Sequence, residues 1–181
     1  SDSIVVTGDN IGSTIYGGDP SDGSSVQDQA DYISVGGSLN GAAIYGNYGD
    51  DSLYVAGTTA SASAIYGGHG NDLVSLAGTL FGGQIEGNSG ADTLLVVGGL
   101  QSGAALYGFN SSQTDTSGDS LSVAAVSVGA MYGAAGNDTF TVNGNAISAT
   151  VSGAAGNDLL NVGNTGYLSA GAVDLGSGND T

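Results

Sequence analysis

The residues in this chain best placed to do chemistry are aspartates that close short glycine-rich turns. Six copies read Gly46-Asn47-Tyr48-Gly49-Asp50-Asp51, Gly67-Gly68-His69-Gly70-Asn71-Asp72, Gly87-Asn88-Ser89-Gly90-Ala91-Asp92, Gly133-Ala134-Ala135-Gly136-Asn137-Asp138, Gly153-Ala154-Ala155-Gly156-Asn157-Asp158 and Gly176-Ser177-Gly178-Asn179-Asp180. Each turn offers a carboxylate and glycine-rich backbone whose carbonyls can face a ligand. A hard divalent cation such as Ca²⁺, which takes about six to eight oxygens at roughly 2.3–2.6 Å, suits that donor set. The charge points the same way. The 181 residues include Lys+Arg 0 and Asp+Glu 17, so a formal charge of −17 has no internal counter-ion. Carboxylates stacked in register repel one another unless a cation lies between them.

The same arithmetic excludes other chemistries. Binding to nucleic acid or to anionic lipid headgroups requires Lys or Arg clusters, so neither nucleic acid nor a membrane surface is an expected partner. The apolar runs are too short to insert into a membrane. With Cys 0 there is no disulfide, thiolate nucleophile or cysteine-ligated metal. His69 is the only histidine and Glu86 the only glutamate. A nucleophile, base and orienting group cannot be assembled from this inventory. A carboxylate pair could serve a glycosidase, but the aspartates follow the repeat and do not gather at one place. The chain reads as a non-enzyme.

The elements that position these aspartates repeat along the chain. Asp2, Asp31, Asp51, Asp72, Asp92, Asp119, Asp138, Asp158 and Asp180 share one phase, most of them 19 to 22 residues apart. Two longer spacings carry polar insertions near 19–30 and 109–118, which read as loops extruded from one point of the repeat. Two residues after each aspartate stand Ile4, Ile33, Leu53, Val74, Leu94, Leu121, Phe140 and Leu160; four after it stand Val6, Val35, Val55, Leu76, Val96, Val123, Val142 and Val162. Period-two apolar positions rich in Val and Ile predict a short strand with one buried face. A second series, Ile15, Ile44, Ile65, Ile85, Leu106, Met131, Val151 and Val173, predicts another strand, and a weaker one runs Ile11, Leu39, Phe81, Leu100, Ile147 and Leu168. Gly, Ser, Thr and Asn fill the intervals, so no helix of stable length is expected. The fold class predicted is an all-β parallel β-solenoid over residues 1–181, of about eight coils of about 20 residues, each with two short strands.

The turns resemble the RTX, or haemolysin-type, calcium-binding nonapeptide G-G-x-G-x-D-x-U-x, where U is a large apolar residue. Gly67 to Ser75 matches at every fixed position, and the other turns lack the second glycine. The resemblance implies Ca²⁺ held between equivalent turns of adjacent coils. Carried over, it assigns the metal to Gly49 and Asp51, Gly68, Gly70 and Asp72, Gly90 and Asp92, Gly136 and Asp138, Gly156 and Asp158, and Gly178 and Asp180. One ion per adjacent pair of intact turns gives about four, with the insertions before Asp31 and Asp119 interrupting the row. The family's regular roll carries such turns on both edges. Here the opposite turns, such as Gly57 to Ser63, hold no carboxylate, so that edge is expected to be metal-free.

The resemblance further implies export in an unfolded state by a type I system and folding in external calcium. The expected role is an extracellular, cell-surface structural protein that builds a bacterial surface layer or fibril by self-association. Identical chains would stack end to end or laterally into a homo-oligomer or fibre. The alternative is a repeat segment of a larger secreted adhesin, toxin or exoenzyme. Tyr16, Tyr45, Tyr66, Tyr107 and Tyr132 occupy equivalent positions and predict an aromatic stack along the solenoid, open to a cell-surface glycan or a neighbouring subunit. An ice-binding face would need a regular Thr array, and Thr139 with Thr141 is not repeated in neighbouring coils.

Overall fold

The structure is a computed structural model that describes residues 1–18, 29–109, 115–163, 166–169 and 171–181. It is an all-β parallel β-solenoid. One sheet stacks eight parallel strands, Ser3–Val6, Tyr32–Val35, Ser52–Val55, Leu73–Leu76, Thr93–Val96, Ser120–Val123, Thr139–Val142 and Leu159–Val162. The second stacks Thr14–Tyr16, Ala43–Tyr48, Ala64–His69, Gln84–Ser89, Ala104–Phe109, Gly129–Tyr132, Ala149–Ser152 and Ala172–Asp174. Every strand pairs with its equivalent in the next coil, so like positions form ladders, for instance Ile33 beside Leu53 and Leu53 beside Val74.

Two strands per coil was an underestimate. A third line of contact runs between the sheets through Asn10, Leu39, Thr59, Leu80, Leu100, Val126, Ala146 and Leu168, as two-residue strands joined by isolated bridges. The weak series read from the sequence is out of phase with it at three points. Ile11, Phe81 and Ile147 are exposed, and the preceding residues, Asn10, Leu80 and Ala146, are buried. In extended chain a shift of one residue turns a side chain to the opposite face, and two-residue strands are too short for periodicity to fix the phase.

The core is a thin column. From the coil that opens at Asp31 to the one that opens at Asp138, the inward residues Ile33, Leu53, Val74, Leu94, Leu121 and Phe140 are essentially inaccessible. They pack against Ile44, Ile65, Ile85, Leu106 and Met131 from the second sheet and Leu39, Leu80 and Leu100 from the third line. Each such side chain contributes roughly 1.5–3 kcal/mol. These six coils have a neighbour on both sides, whereas Ile4, Val6, Ile15 and Leu160 in the outer coils are only partly covered. Val5, Leu73 and Leu159, out of phase with the core, are exposed on the outer face of the first sheet. Of the insertions, 19–28 and 110–114 lie outside the described residues. Among the described residues no helix is long and apolar enough to cross a membrane.

Candidate cation-binding aspartate row

The glycine-rich turns join the end of each second-sheet strand to the first-sheet strand of the next coil. Their shape is common to all copies. The second turn residue has positive φ whether it is Asn47 (80°), Gly68 (122°), Asn88 (83°), Ala134 (75°) or Ala154 (67°). The absent second glycine of the motif therefore changes the cost of the turn and not its path. Gly49, Gly70, Gly90, Gly136, Gly156 and Gly178 also have positive φ, between 112° and 153°. At Gly70 a Cβ would collide with the carbonyl of Gly49, and at Gly156 with that of Gly136, so only glycine allows the coils to approach to stacking distance.

The structure places the aspartates differently from the edge position suggested by their place before the strand. Asp31, Asp51, Asp72, Asp92, Asp119, Asp138 and Asp158 are all buried. Their Oδ1 atoms form a ladder along the axis. Asp51 Oδ1 accepts the backbone N–H of Asp31 at 2.7 Å, Asp72 that of Asp51 at 2.8 Å, and Asp92 that of Asp72 at 2.8 Å. The series continues through Asp119, Asp138, Asp158 and Asp180 at 2.8–2.9 Å, and Asp31 accepts from Asp2 at the other end. The row is not broken at the insertions. Asp31 and Asp119, left out of the sequence-derived metal set, stand in it like the others.

The second carboxylate oxygen has no such use. Oδ2 of Asp31, Asp72, Asp92, Asp119, Asp138 and Asp158 is buried without a hydrogen-bond partner. These oxygens turn toward a glycine that was left out of the sequence-derived metal set, the residue after the aromatic position of the second-sheet strand. A Cβ on Gly67, Gly87, Gly108, Gly133 or Gly153 would collide with Oδ2 of Asp72, Asp92, Asp119, Asp138 or Asp158 respectively. Backbone oxygen crowds the same place, Gly108 O at Gly87 and Leu175 O at Gly153. Oxygen of two kinds, anionic and carbonyl, thus converges on one interior strip.

Burial has its expected electrostatic effect. Loss of hydration pushes Asp92 up to about 8, Asp72 and Asp119 to about 7 and Asp138 to about 6, from an ordinary 3.8. The backbone N–H donated by the neighbouring coil opposes the shift in each case, and neighbouring carboxylates add to it, Asp115 among them for Asp92, Asp119 and Asp138. Asp115 is held in its turn by the N–H groups of Gly90 and Ser117, at 2.8 and 2.9 Å.

A second, exposed row lies beside the first. Asp50 Oδ1 accepts the N–H of Asn71, Asn71 Oδ1 that of Ala91, Asn137 Oδ1 that of Asn157, and Asn157 Oδ1 that of Asn179, at 2.7–2.9 Å. These side chains tie one coil to the next. His69 stacks flat on Tyr48, with ring centroids 4.6 Å apart. Among the described residues no three His, Asp or Glu side chains gather as a metal cluster. A cation on the buried row would be held by one or two carboxylates and otherwise by backbone oxygen, a donor set that fits Ca²⁺ better than softer metals.

The fold and this row define an acidic parallel β-solenoid with a row of buried carboxylates along its axis. No family profile and no curated protein matches the sequence. Among solved structures, a hyperactive, Ca²⁺-dependent, β-helical antifreeze protein from an Antarctic bacterium superposes with a TM-score of 0.71 at 24% sequence identity. The match covers 98% of this chain and 56% of that one, so this chain spans little more than half that protein's length.

Proposed function

We propose that this chain is an extracellular, non-catalytic structural solenoid stabilised by Ca²⁺ and that it associates with further copies as a cell-surface layer or fibril. The observation that carries the reading is the row of buried carboxylates with partnerless Oδ2 atoms in a chain of Lys+Arg 0. Asp72, Asp92, Asp119, Asp138 and Asp158, with the carbonyls of Gly108 and Leu175, are the residues that would hold the ions. When bound, Ca²⁺ supplies the positive charge that lets neighbouring carboxylates stay ionised in a dry interior. The chain's own residues hold the oxygens in register through the Oδ1 ladder, and the glycines keep the strip free of carbon. The Ca²⁺ dependence of the antifreeze protein with the same fold supports the reading.

Self-association is supported by the outer face of the first sheet, where Val5, Tyr32, Tyr54 and Leu73 are exposed. Tyr32, Ser52, Tyr54, Leu73 and Ser75 line a shallow hollow of about 340 Å³. The role as a segment of a larger secreted protein stands as the second reading, favoured by the shorter span of this chain relative to its structural neighbour. An antifreeze role is not adopted. The two outward rows of the first sheet read Ser3, Tyr32, Ser52, Leu73, Thr93, Ser120, Thr139 and Leu159, and Val5, Ser34, Tyr54, Ser75, Leu95, Ser122, Thr141 and Asn161, with no run of threonine in either.

Far-UV circular dichroism in chelator, followed by titration with Ca²⁺ and with Mg²⁺ as control, tests the metal. A Ca²⁺-specific gain of β signal is expected, with light scattering rising in parallel as copies associate. Full β signal in chelator that Ca²⁺ leaves unchanged would overturn the calcium reading. Monodisperse scattering of the folded chain would overturn self-association.

A further inference from the structure

Neither outward row of the first sheet contains a carboxylate, in a chain with Asp+Glu 17. On this neutral face large side chains surround a small one. Ser52 pairs with Tyr32 in one neighbouring coil and with Leu73 in the other, and Tyr54 stands two residues along its own strand. The result is the hollow of about 340 Å³, floored by Ser52 and walled by Tyr32, Tyr54 and Leu73. Its size falls at the lower end of the ~300–1,000 Å³ typical of small-ligand pockets.

Walls and floor differ in chemistry. Tyr32 and Tyr54 are 46% and 38% exposed, and among the described residues neither ring stacks on another. The tyrosines of the second sheet do the opposite. Tyr16, Tyr45 and Tyr66 stack at centroid distances of 5.2 and 4.7 Å and Tyr107 on Tyr132 at 5.0 Å, so those rings cover one another's faces. Open aromatic surface therefore lies on the first sheet. Tyr32 and Tyr54 are offset by one strand spacing of ~4.8 Å and two residues of ~3.3 Å, about 8 Å in all, a distance that two linked sugar rings span. Ser52 and Ser75 line the same hollow, and among the described residues their hydroxyls make no hydrogen bond to the protein.

Aromatic surface beside unspent hydroxyls, without charge, matches a sugar. A hexopyranose with equatorial hydroxyls presents faces of C–H groups, which the negative face of a tyrosine ring attracts. Its rim of hydroxyls exchanges hydrogen bonds with serine and tyrosine. An anionic ligand would meet a formal charge of −17 with Lys+Arg 0, and a cation would find no carboxylate among the lining residues. Leu73 or Leu159 of a second copy would fill the hollow without satisfying the serine hydroxyls, at the cost of unpaired buried polar groups.

We propose that the hollow around Ser52 is a binding site for a neutral glycan of β-linked, all-equatorial hexose units, with Tyr32 and Tyr54 packing on successive rings. The site shares the face that supports self-association but depends neither on that reading nor on the calcium reading.

The test is an amide NMR titration of the full chain in Ca²⁺ with cellotetraose up to about 20 mM, a concentration that detects even millimolar affinity. The β-1,4-linked glucuronate tetramer, of the same shape with a carboxylate on each ring, is the control. Shifts confined to the neighbourhood of Tyr32, Ser52, Tyr54, Leu73 and Ser75 are expected with the neutral sugar and not with the uronate. Tyr54→Phe, which keeps the ring, should bind within about twofold of the parent, and Tyr54→Ala should weaken binding about tenfold or more. Ser52→Val fills the floor with a strand-favouring residue and should abolish binding while leaving the circular dichroism intact. Shifts on the second sheet or over the aspartate turns, equal binding of the uronate, unchanged binding to Ser52→Val or no binding by the parent would each overturn the proposal. Hollow amides that respond to protein concentration and not to sugar would assign the hollow to a second copy and overturn it as well. Light scattering of the same samples reads self-association separately, and a monodisperse chain that binds cellotetraose would refute that reading alone.

Discussion

Asp92 accepts the backbone N–H of Asp72 through Oδ1 at 2.8 Å, while Oδ2 of the same carboxylate is buried without a partner. One oxygen holds two coils together and the other is left without a partner in the interior. Asp72, Asp119, Asp138 and Asp158 repeat this division.

Substituting Asp92→Asn separates the two roles. The amide oxygen keeps the bond from Asp72, and its Nδ2 can donate toward the Gly108 carbonyl that faces Gly87. Without metal the variant should be more stable than the parent by about 1–3 kcal/mol, the ordinary cost of an unsatisfied buried polar group. In saturating Ca²⁺ it should regain less stability than the parent. Thermal unfolding in chelator and in Ca²⁺ reads both signs, and a variant less stable in chelator would contradict the assignment of roles.

The pH dependence of the metal-free chain follows from the same carboxylates. Their folded values, about 6 for Asp138, about 7 for Asp72 and Asp119 and about 8 for Asp92, lie above the unfolded 3.8. The folded state therefore binds more protons between these limits, and stability falls as pH rises. Denaturant midpoints in chelator should be highest at or below about pH 4, where both states are protonated, and decline from there to about pH 8. Ca²⁺ should remove the decline, because it binds the deprotonated oxygens. A midpoint that rises with pH in chelator would refute the buried, uncompensated row.

Gly87 tests the interior strip. A Cβ there would collide with Asp92 Oδ2 and stand 2.6 Å from Gly108 O, so Gly87→Ala should cost about 3 kcal/mol, at the upper end of overpacking. Gly8 is exposed with nothing within 4 Å of its Cβ position, and Gly8→Ala should change stability by less than about 0.5 kcal/mol. Equal effects in urea denaturation would refute the close approach.

Thr59 lies in the third line of contacts, 1% exposed, and its Oγ1 has no hydrogen-bond partner. Thr59→Val keeps the shape and removes the stranded hydroxyl. It should raise stability by about 1 kcal/mol, measured as a shift of the urea midpoint with unchanged slope.

How much of this was legible in the sequence depends on the range of the interaction concerned. Inward positions such as Leu53 and Val55, or Ile44 and Ile65, could be read directly, because alternation within a strand and repetition between coils are both properties of sequence spacing. Even the burial of Asp51 was implicit. It stands two residues before Leu53, and period two sends both to the same side; its place immediately before the strand suggested the coil edge, and the strand geometry prevailed. The phase at Phe81 was not legible, because a two-residue strand takes its orientation from the coil beside it.

The sequence by itself determined the solenoid, its repeat, its lack of cationic side chains and the turn chemistry, since all of these follow from local composition and period. Only the tertiary structure decided that the aspartate row passes both insertions, that each Oδ2 faces a glycine such as Gly87, and that Tyr32, Tyr54 and Leu73 surround Ser52. Those relationships join residues from different coils, and the distance between coils is set by backbone pairing along the axis, which no single repeat contains.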